Sequence, residues 1–276
     1  MKITLRLVYS KPYVMYIMEN MDQPSIFAET GDFTVVFKPP RMHSAPLNGA
    51  SLHNGDTLLD WYATIYPPVM DISGRKEGEG GLLHRLDFET QGLVLFAKNQ
   101  KSLDCILAQQ EQGNFIKEYS AVCSKTSSPP ASFPPPPGVF EHFLRETPRL
   151  CSSFVIESFF RPFGPGRKQV RPVTDDNTKP HRHEVAKDLG GYYRTEIINV
   201  ENTADSEYAF TIRLRRGFRH QIRCHLAWIG CPVLNDSLYG EQPANGFLAL
   251  RSQGLIFADP DSGEQREYRT VRQATP

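Results

Sequence analysis

The most constraining stretch of the chain runs from Gly81 to Lys98, GLLHRLDFETQGLVLFAK. Its second half, Gly92 to Lys98, is an apolar run bounded by Gly92 and Asn99, which predicts a short buried strand. Its first half places His84, Arg85 and Asp87 within four residues, directly ahead of that strand. Charge beside a buried strand is costly unless each group finds a partner, so such a cluster marks either a salt bridge closing a loop or a working site. This stretch alone leaves the two readings at even odds.

The chain around it sets the frame. With 276 residues it can bury a full core as one large domain or two modest ones. Its 31 basic residues balance 31 acidic ones, so nucleic acid would have to be held by a local basic surface and not by an overall field. Five cysteines without a Cys-x-x-Cys pair argue for reduced thiols and against zinc. Cys224 and Cys231 read as helix core and following turn. His181-x-His183 has ligand spacing but no third partner, and no metal is expected. No apolar run is long enough to cross a bilayer, and the short N-terminal apolar patches are split by Lys11-Pro12, so the expected location is cytoplasmic.

Periodicity and punctuation predict the elements. Phe33–Phe37 is a strand ended by Lys38-Pro39-Pro40, and residues 41–46 form a loop. Asp56 or Thr57 caps a helix whose apolar face is Leu58, Tyr62 and Ile65, stopped by Pro67-Pro68. The glycine- and charge-rich Gly74–Gly81 reads as a mobile loop. Leu103, Ile106 and Leu107 face one side of a helix that Gly113 ends. Phe115–Cys123, Tyr193–Val200 and Tyr208–Arg215 are strands. Ile222, Leu226 and Ile229 follow helical spacing, ended by Gly230 and Pro232. From Tyr208 to Trp228 there are five arginines and no acidic residue, the local positive surface that a neutral chain needs to hold a phosphate backbone. Strands joined by short loops, without strict βαβ alternation, indicate an α+β fold with a largely antiparallel sheet.

His84-Arg85-Leu86-Asp87-x-x-Thr90-x-Gly92-Leu93-x-Leu95-x-Ala97-Lys98 resembles the catalytic motif of the RluA-type pseudouridine synthases. Lys117-x-Tyr119-x-Ala121 is similar to the family's second motif. His220-Gln221-Ile222-Arg223-x-His225-Leu226-Ala227, followed by Gly230-x-Pro232 and Asp236-x-x-Tyr239-Gly240, is similar to its third. The resemblance runs from about Phe27 to Tyr268. It departs from the family at Arg41, where glycine is usual, and at His43, which is displaced. It departs again at Phe218-Arg219, where Arg-Thr is usual, and at Leu250-Arg251-Ser252 in place of Leu-His-Ala. Residues 248–260 look like the family's closing strand pair.

The resemblance implies an RNA pseudouridine synthase fold with a central cleft and an isomerase that needs no cofactor. Its implied partner is structured RNA, ribosomal or transfer, met by a monomer with no membrane and no nucleotide cofactor. Asp87 is the implied catalytic residue, Tyr119 lies against the target base and serves in proton removal, and Arg223 pairs with Asp87. His84, Arg85, Thr90, Arg219, His220, Gln221 and Lys38 are the implied RNA and substrate contacts. Arg85 and His84 would fill the space left by a flipped uridine or hold a phosphate. Residues 1–26 read as an arm without the S4-type RNA-binding module of many relatives, with Met21 as a candidate native start. Residues 27–276 read as the catalytic domain, with a Pro-rich connector and insertion at about 124–190. The competing reading is a catalytically silent RNA-binding protein of the same fold, a chaperone or ribosome-assembly factor.

Overall fold

The computed structural model describes residues 8–10, 13–16, 22–46, 57–126, 128–136, 153–174, 192–204, 206–240 and 246–270. His181, His183 and the candidate start at Met21 lie outside them. The chain forms two compact units, residues 1–118 with 251–276 and residues 119–250.

In the first unit, β1 (Val8–Ser10) and β2 (Tyr13–Tyr16) form a hairpin whose second strand runs parallel to β12 (Gln265–Thr270). The expected arm therefore contributes strands. β12 pairs antiparallel with β11 (Leu250–Ala258), and β11 is bridged in parallel to β5 (Gln91–Ala97). Antiparallel β4 (Phe33–Lys38) and β3 (Ser25–Glu29) complete the set.

Every residue of β4 is buried because both of its faces are covered. Phe33, Val35 and Phe37 alternate into a core with Leu103 and Ile106 of α2 (Gln100–Glu111). Thr34 faces the other way and takes a 2.6 Å hydrogen bond from the Tyr62 hydroxyl of α1 (Leu58–Ile65). Thr57 caps α1 by accepting from the Asp60 N–H at 3.2 Å, and Asn99 caps α2 by accepting from the Ser102 N–H at 2.8 Å.

Two expectations are corrected. Residues 248–260 hold one strand, β11, whose partner is β12. Gly254 lies mid-strand, where the backbone of β12 and the Glu118 side chain crowd the place a Cβ would take. Nor are the glycines of residues 74–81 signs of a free loop. A Cβ on Gly74 would strike the Gly80 carbonyl, one on Gly80 the Val69 carbonyl, and one on Gly81 the Ala97 carbonyl. The loop closes on itself by backbone contact, with the Gly81 N–H donating to the Val69 carbonyl at 3.0 Å.

In the second unit the strand order is β6-β10-β9-β7-β8. These are β6 (Ile116–Ser124, which carries the chain in from the first unit), β7 (Phe154–Phe163), β8 (Gln169–Val173), β9 (Tyr193–Ala204) and β10 (Glu207–Leu214). The insertion thus supplies an antiparallel β7–β8 hairpin. Helix α3 (Gln221–Trp228) is buried along its whole length. It packs Cys224 and Ala227 against Phe160, Val170 and Tyr239, and Gly230 with φ 76° follows its last turn. Few helices on a mostly antiparallel sheet make this the expected α+β fold.

Candidate active site

Asp87 lies in a tight turn closed by a 3.0 Å bond from the Thr90 N–H to its carbonyl. Ahead of the turn the chain runs antiparallel to β5. The Leu83 N–H donates to the Leu95 carbonyl at 3.0 Å, and the Ala97 N–H to the Gly81 carbonyl at 2.8 Å. The motif is therefore an irregular hairpin with Asp87 at its end. Behind the turn, Gly92 has φ 125°, and a Cβ there would collide with the Ser252 backbone of β11, which only glycine avoids.

Lys38, the last residue of β4, and Ser44, in the loop that follows it, grip the turn on either side of Asp87. Ser44 Oγ accepts from the Leu86 N–H at 2.9 Å and donates to the Leu86 carbonyl at 3.1 Å. Lys38 Nζ donates to the carbonyls of Pro39 (2.9 Å), Met42 (2.7 Å) and Phe88 (3.3 Å). An ammonium has three N–H donors, and three carbonyls take them. Burial pushes Lys38 down to about 7, opposed by the carboxylates of Asp87 and Glu89. Lys38 has no exposed surface, so the residue expected on the RNA instead clamps the turn from inside. The Asp87 side chain remains half-buried.

His84 is also turned inward. Its Nε2 accepts from the Leu95 N–H at 3.3 Å, replacing a ladder carbonyl, and its ring lies 5.6 Å from that of Phe115. Burial, with Lys117 nearby, keeps the imidazole well below its ordinary value, so it is neutral. Its Nδ1 is buried with no partner among the described residues, and the same holds for the Thr90 hydroxyl. Arg85 is exposed and reaches Glu79, itself buried, at 3.1 Å. At Arg41, where the resemblance leads one to expect glycine, φ is 58°, and the side chain lies 3.6 Å from Glu89.

The second unit holds the rest of the expected site. Tyr119, on β6, is 6% exposed. Arg223 of α3 is buried, and Asp236 grips it through Nε (2.7 Å) and Nη2 (2.6 Å). Asp236 also accepts from the N–H groups of Leu238 (2.9 Å) and Tyr239 (3.1 Å), while the guanidinium lies 5.5 Å from the Tyr239 ring centre. A bidentate carboxylate fixes the plane of the guanidinium as well as its position. The resemblance names Asp87 as the partner of Arg223 and gives no part to Asp236. The readable signal for it is the Asp-x-x-Tyr-Gly spacing.

Gln221, expected on the substrate, is a buried cross-brace. Its Nε2 donates to the Arg194 carbonyl (2.9 Å) and Thr195 Oγ1 (3.0 Å), and its Oε1 accepts from the Phe218 N–H (3.0 Å). His220 enters the helix at φ 56°, with Nδ1 3.3 Å from the Tyr239 hydroxyl. Arg219 is exposed and donates to the carbonyls of Arg167 (2.7 Å) and Gln169 (3.1 Å) at the tip of the β7–β8 hairpin. Phe218 stacks on Phe160 at 5.2 Å and lies 4.9 Å from Tyr193. The Phe218-Arg219 departure thus has a local function, tying the insertion to α3.

His225, beyond the expected set, is fully buried between Ser158 Oγ (2.9 Å) and Thr195 Oγ1 (2.8 Å), and burial pushes it down to about 3. No group of potential metal ligands occurs among the described residues. No helix among them is long and apolar enough to cross a membrane.

Residues 32–228 match the family model described as RNA pseudouridylate synthase. The chain belongs to that family. It is 25% identical over 222 residues to ribosomal large subunit pseudouridine synthase D of Haemophilus ducreyi, covering 79% of this chain and 53% of that protein. It is 27% identical over 257 residues to the uncharacterized RNA pseudouridine synthase YlyB of Bacillus subtilis, covering 91% and 70%. The chain spans little more than half the length of the first of these relatives. Human RNA pseudouridylate synthase domain containing 1 shares the fold, with a TM-score of 0.58 at 19% identity over 92% of this chain and 86% of that one. The RluA-type resemblance is borne out by these relatives.

Proposed function

We propose that this chain isomerises uridine to pseudouridine in RNA, with Asp87 as the catalytic residue. Ribosomal RNA is favoured over transfer RNA because relatives are named for the large ribosomal subunit. The observation that carries the reading is the doubly clamped turn. Ser44 and Lys38 hold the backbone on both sides of one half-buried carboxylate, the preorganisation expected of a group that must meet a reacting atom in fixed geometry.

The reaction breaks the bond from N1 to C1′ and forms one from C5 to C1′. The C5 proton leaves to a base and N1 gains a proton, so no electrons are exchanged with a cofactor. A carboxylate serves by attacking the base, by attacking the sugar or by abstracting a sugar proton, and each route needs the anion. Tyr119 is assigned to the C5 proton and Arg223 to the counter-charge of Asp87, on the order and content of their motifs. The orientation of Arg223 comes from Asp236. A uridine stacked in RNA must be flipped out before any of this.

The test is nucleoside analysis of large-subunit ribosomal RNA transcripts incubated with the protein. Pseudouridine at a defined position supports the reading. Tight binding without any pseudouridine supports the silent RNA-binding alternative. Mapping pseudouridines in a deletion strain then names the position.

A further inference from the structure

We infer that Phe88, backed by the imidazole of His43, is a stacking surface for the RNA base next to the uridine that meets Asp87. The inference rests on the RNA-directed reading above and gives it a specific contact.

Among the described residues five large apolar side chains are exposed, Ile65, Phe88, Val155, Tyr192 and Phe247. A single exposed apolar group is ordinary on a protein surface. Phe88 is set apart by its place and its support. It follows Asp87 directly, so the two Cα atoms lie about 3.8 Å apart. Phe88 is 41% exposed, beside a carboxylate that is half-buried.

The support comes from the strand end and loop that face the turn. Lys38 Nζ holds the Phe88 carbonyl at 3.3 Å, and Ser44 holds both polar groups of Leu86. The His43 ring centre lies 4.7 Å from that of Phe88, with 40° between the planes. His43 is itself pinned, since its carbonyl accepts from the Leu58 N–H at 2.9 Å and its backbone bridges Thr57. The displacement of His43 from its usual place in the family thus has a use. Its ring backs a phenyl group that is held in position and open to solvent.

A flat apolar ring offers a phosphate no donor, but it fits the π-face of a base. Single-stranded RNA is read largely through unstacked bases laid on aromatic side chains. Flipping a uridine out of the RNA strips its neighbours of a stacking partner. An aromatic ring one residue from Asp87 restores that stack. Phe88 has two side-chain torsions and already packs on His43, so it loses little freedom in doing so. Tyr119 is assigned to the target base, which leaves Phe88 for the neighbour.

The experiment measures the affinity of an oligouridylate of about 20 nucleotides and of an abasic oligoribonucleotide of equal length. The proteins are the wild type, Phe88→Ala, Phe88→Leu and Phe88→Tyr. Stacking on an aromatic side chain is worth about 5- to 150-fold in affinity per base and tolerates any sequence, so oligouridylate serves as the probe. Phe88→Ala and Phe88→Leu are expected to weaken oligouridylate binding about fivefold or more and to leave the abasic oligomer unaffected, whereas Phe88→Tyr keeps wild-type affinity for both. Full oligouridylate binding by Phe88→Ala overturns the inference. So does full binding by Phe88→Leu, which would make Phe88 an apolar filler, and so does equal weakening on both oligomers, which would make it a support of the turn. A wild type that binds the two oligomers equally overturns it too. All these readouts are of binding, and the isomerase reading fails separately, if the wild type forms no pseudouridine in large-subunit ribosomal RNA transcripts.

Discussion

The Asp87 turn and the Arg223 helix are both fixed, but by opposite means. Around Asp87, side chains hold backbone: Ser44 takes both polar groups of Leu86, and Lys38 takes three carbonyls. The carboxylate itself is left half-buried at the end of a hairpin. Around Arg223, side chains hold side chains, with a buried carboxylate gripping a buried guanidinium and a buried imidazole between two hydroxyls. The first arrangement presents a group, and the second orients one by enclosing it. The polar residues of these motifs therefore divide into those left partly open, as Asp87 is, and a larger number that set the frame.

The enclosed network carries an acid-sensitive group of its own, His225, as the Asp87 region does in His84. The unfolded chain protonates His225 near its ordinary value of 6.5, whereas the folded protein resists until about 3. Between those values the unfolded state binds more protons, so stability is intact above about pH 6.5 and lost progressively as pH falls toward 3. The loss from this residue is on the order of 5 kcal/mol. Urea unfolding at successive pH values should show a flatter acid limb in His225→Gln, and an identical limb would assign the acid sensitivity elsewhere.

Asp236→Asn tests the same network directly. It leaves the Arg223 charge buried with a weakened partner, and should cost about 3–5 kcal/mol in chemical denaturation. Ser44→Ala probes the other region. It leaves the buried Leu86 N–H unsatisfied, costing about 1–3 kcal/mol. It should also lower kcat with little change in KM, because the turn loses its grip without losing an RNA contact. An effect on KM alone would move Ser44 from framing the turn to binding substrate.

Arg41→Gly should be nearly silent. Relief of the left-handed backbone, worth about 1 kcal/mol, is offset by the entropy glycine gains on unfolding, and an exposed pair with Glu89 adds little. A large change in melting temperature would show that Arg41 does more than occupy a glycine position.

The elements of the fold were legible because burial imposes periodicity and ends need caps. The strands around Val35, Leu95 and Phe210 and a cap at Asp56 or Thr57 are visible in the one-letter string, and the structure chooses Thr57. Residues 74–81 mislead because glycine marks both a turn and a close backbone approach, and only the neighbour distinguishes them. At the site, Asp87, Tyr119 and Arg223 come from motif resemblance. Residue type could not reveal that Lys38 and Gln221 face inward, since a lysine donor serves a carbonyl as well as a phosphate. Nothing in the string marks Ser44 as a clamp, because it acts on Leu86, far away in the chain.

The most direct measurement is release of tritium from ribosomal RNA transcribed with C5-tritiated uridine, comparing the wild type with Asp87→Asn. Replacing the carboxylate by its isosteric amide removes the anion and leaves the clamps of Ser44 and Lys38 in place. A catalytic Asp87 predicts a loss of about 1,000-fold or more in release rate with RNA binding retained. Release by Asp87→Asn at the wild-type rate would contradict it.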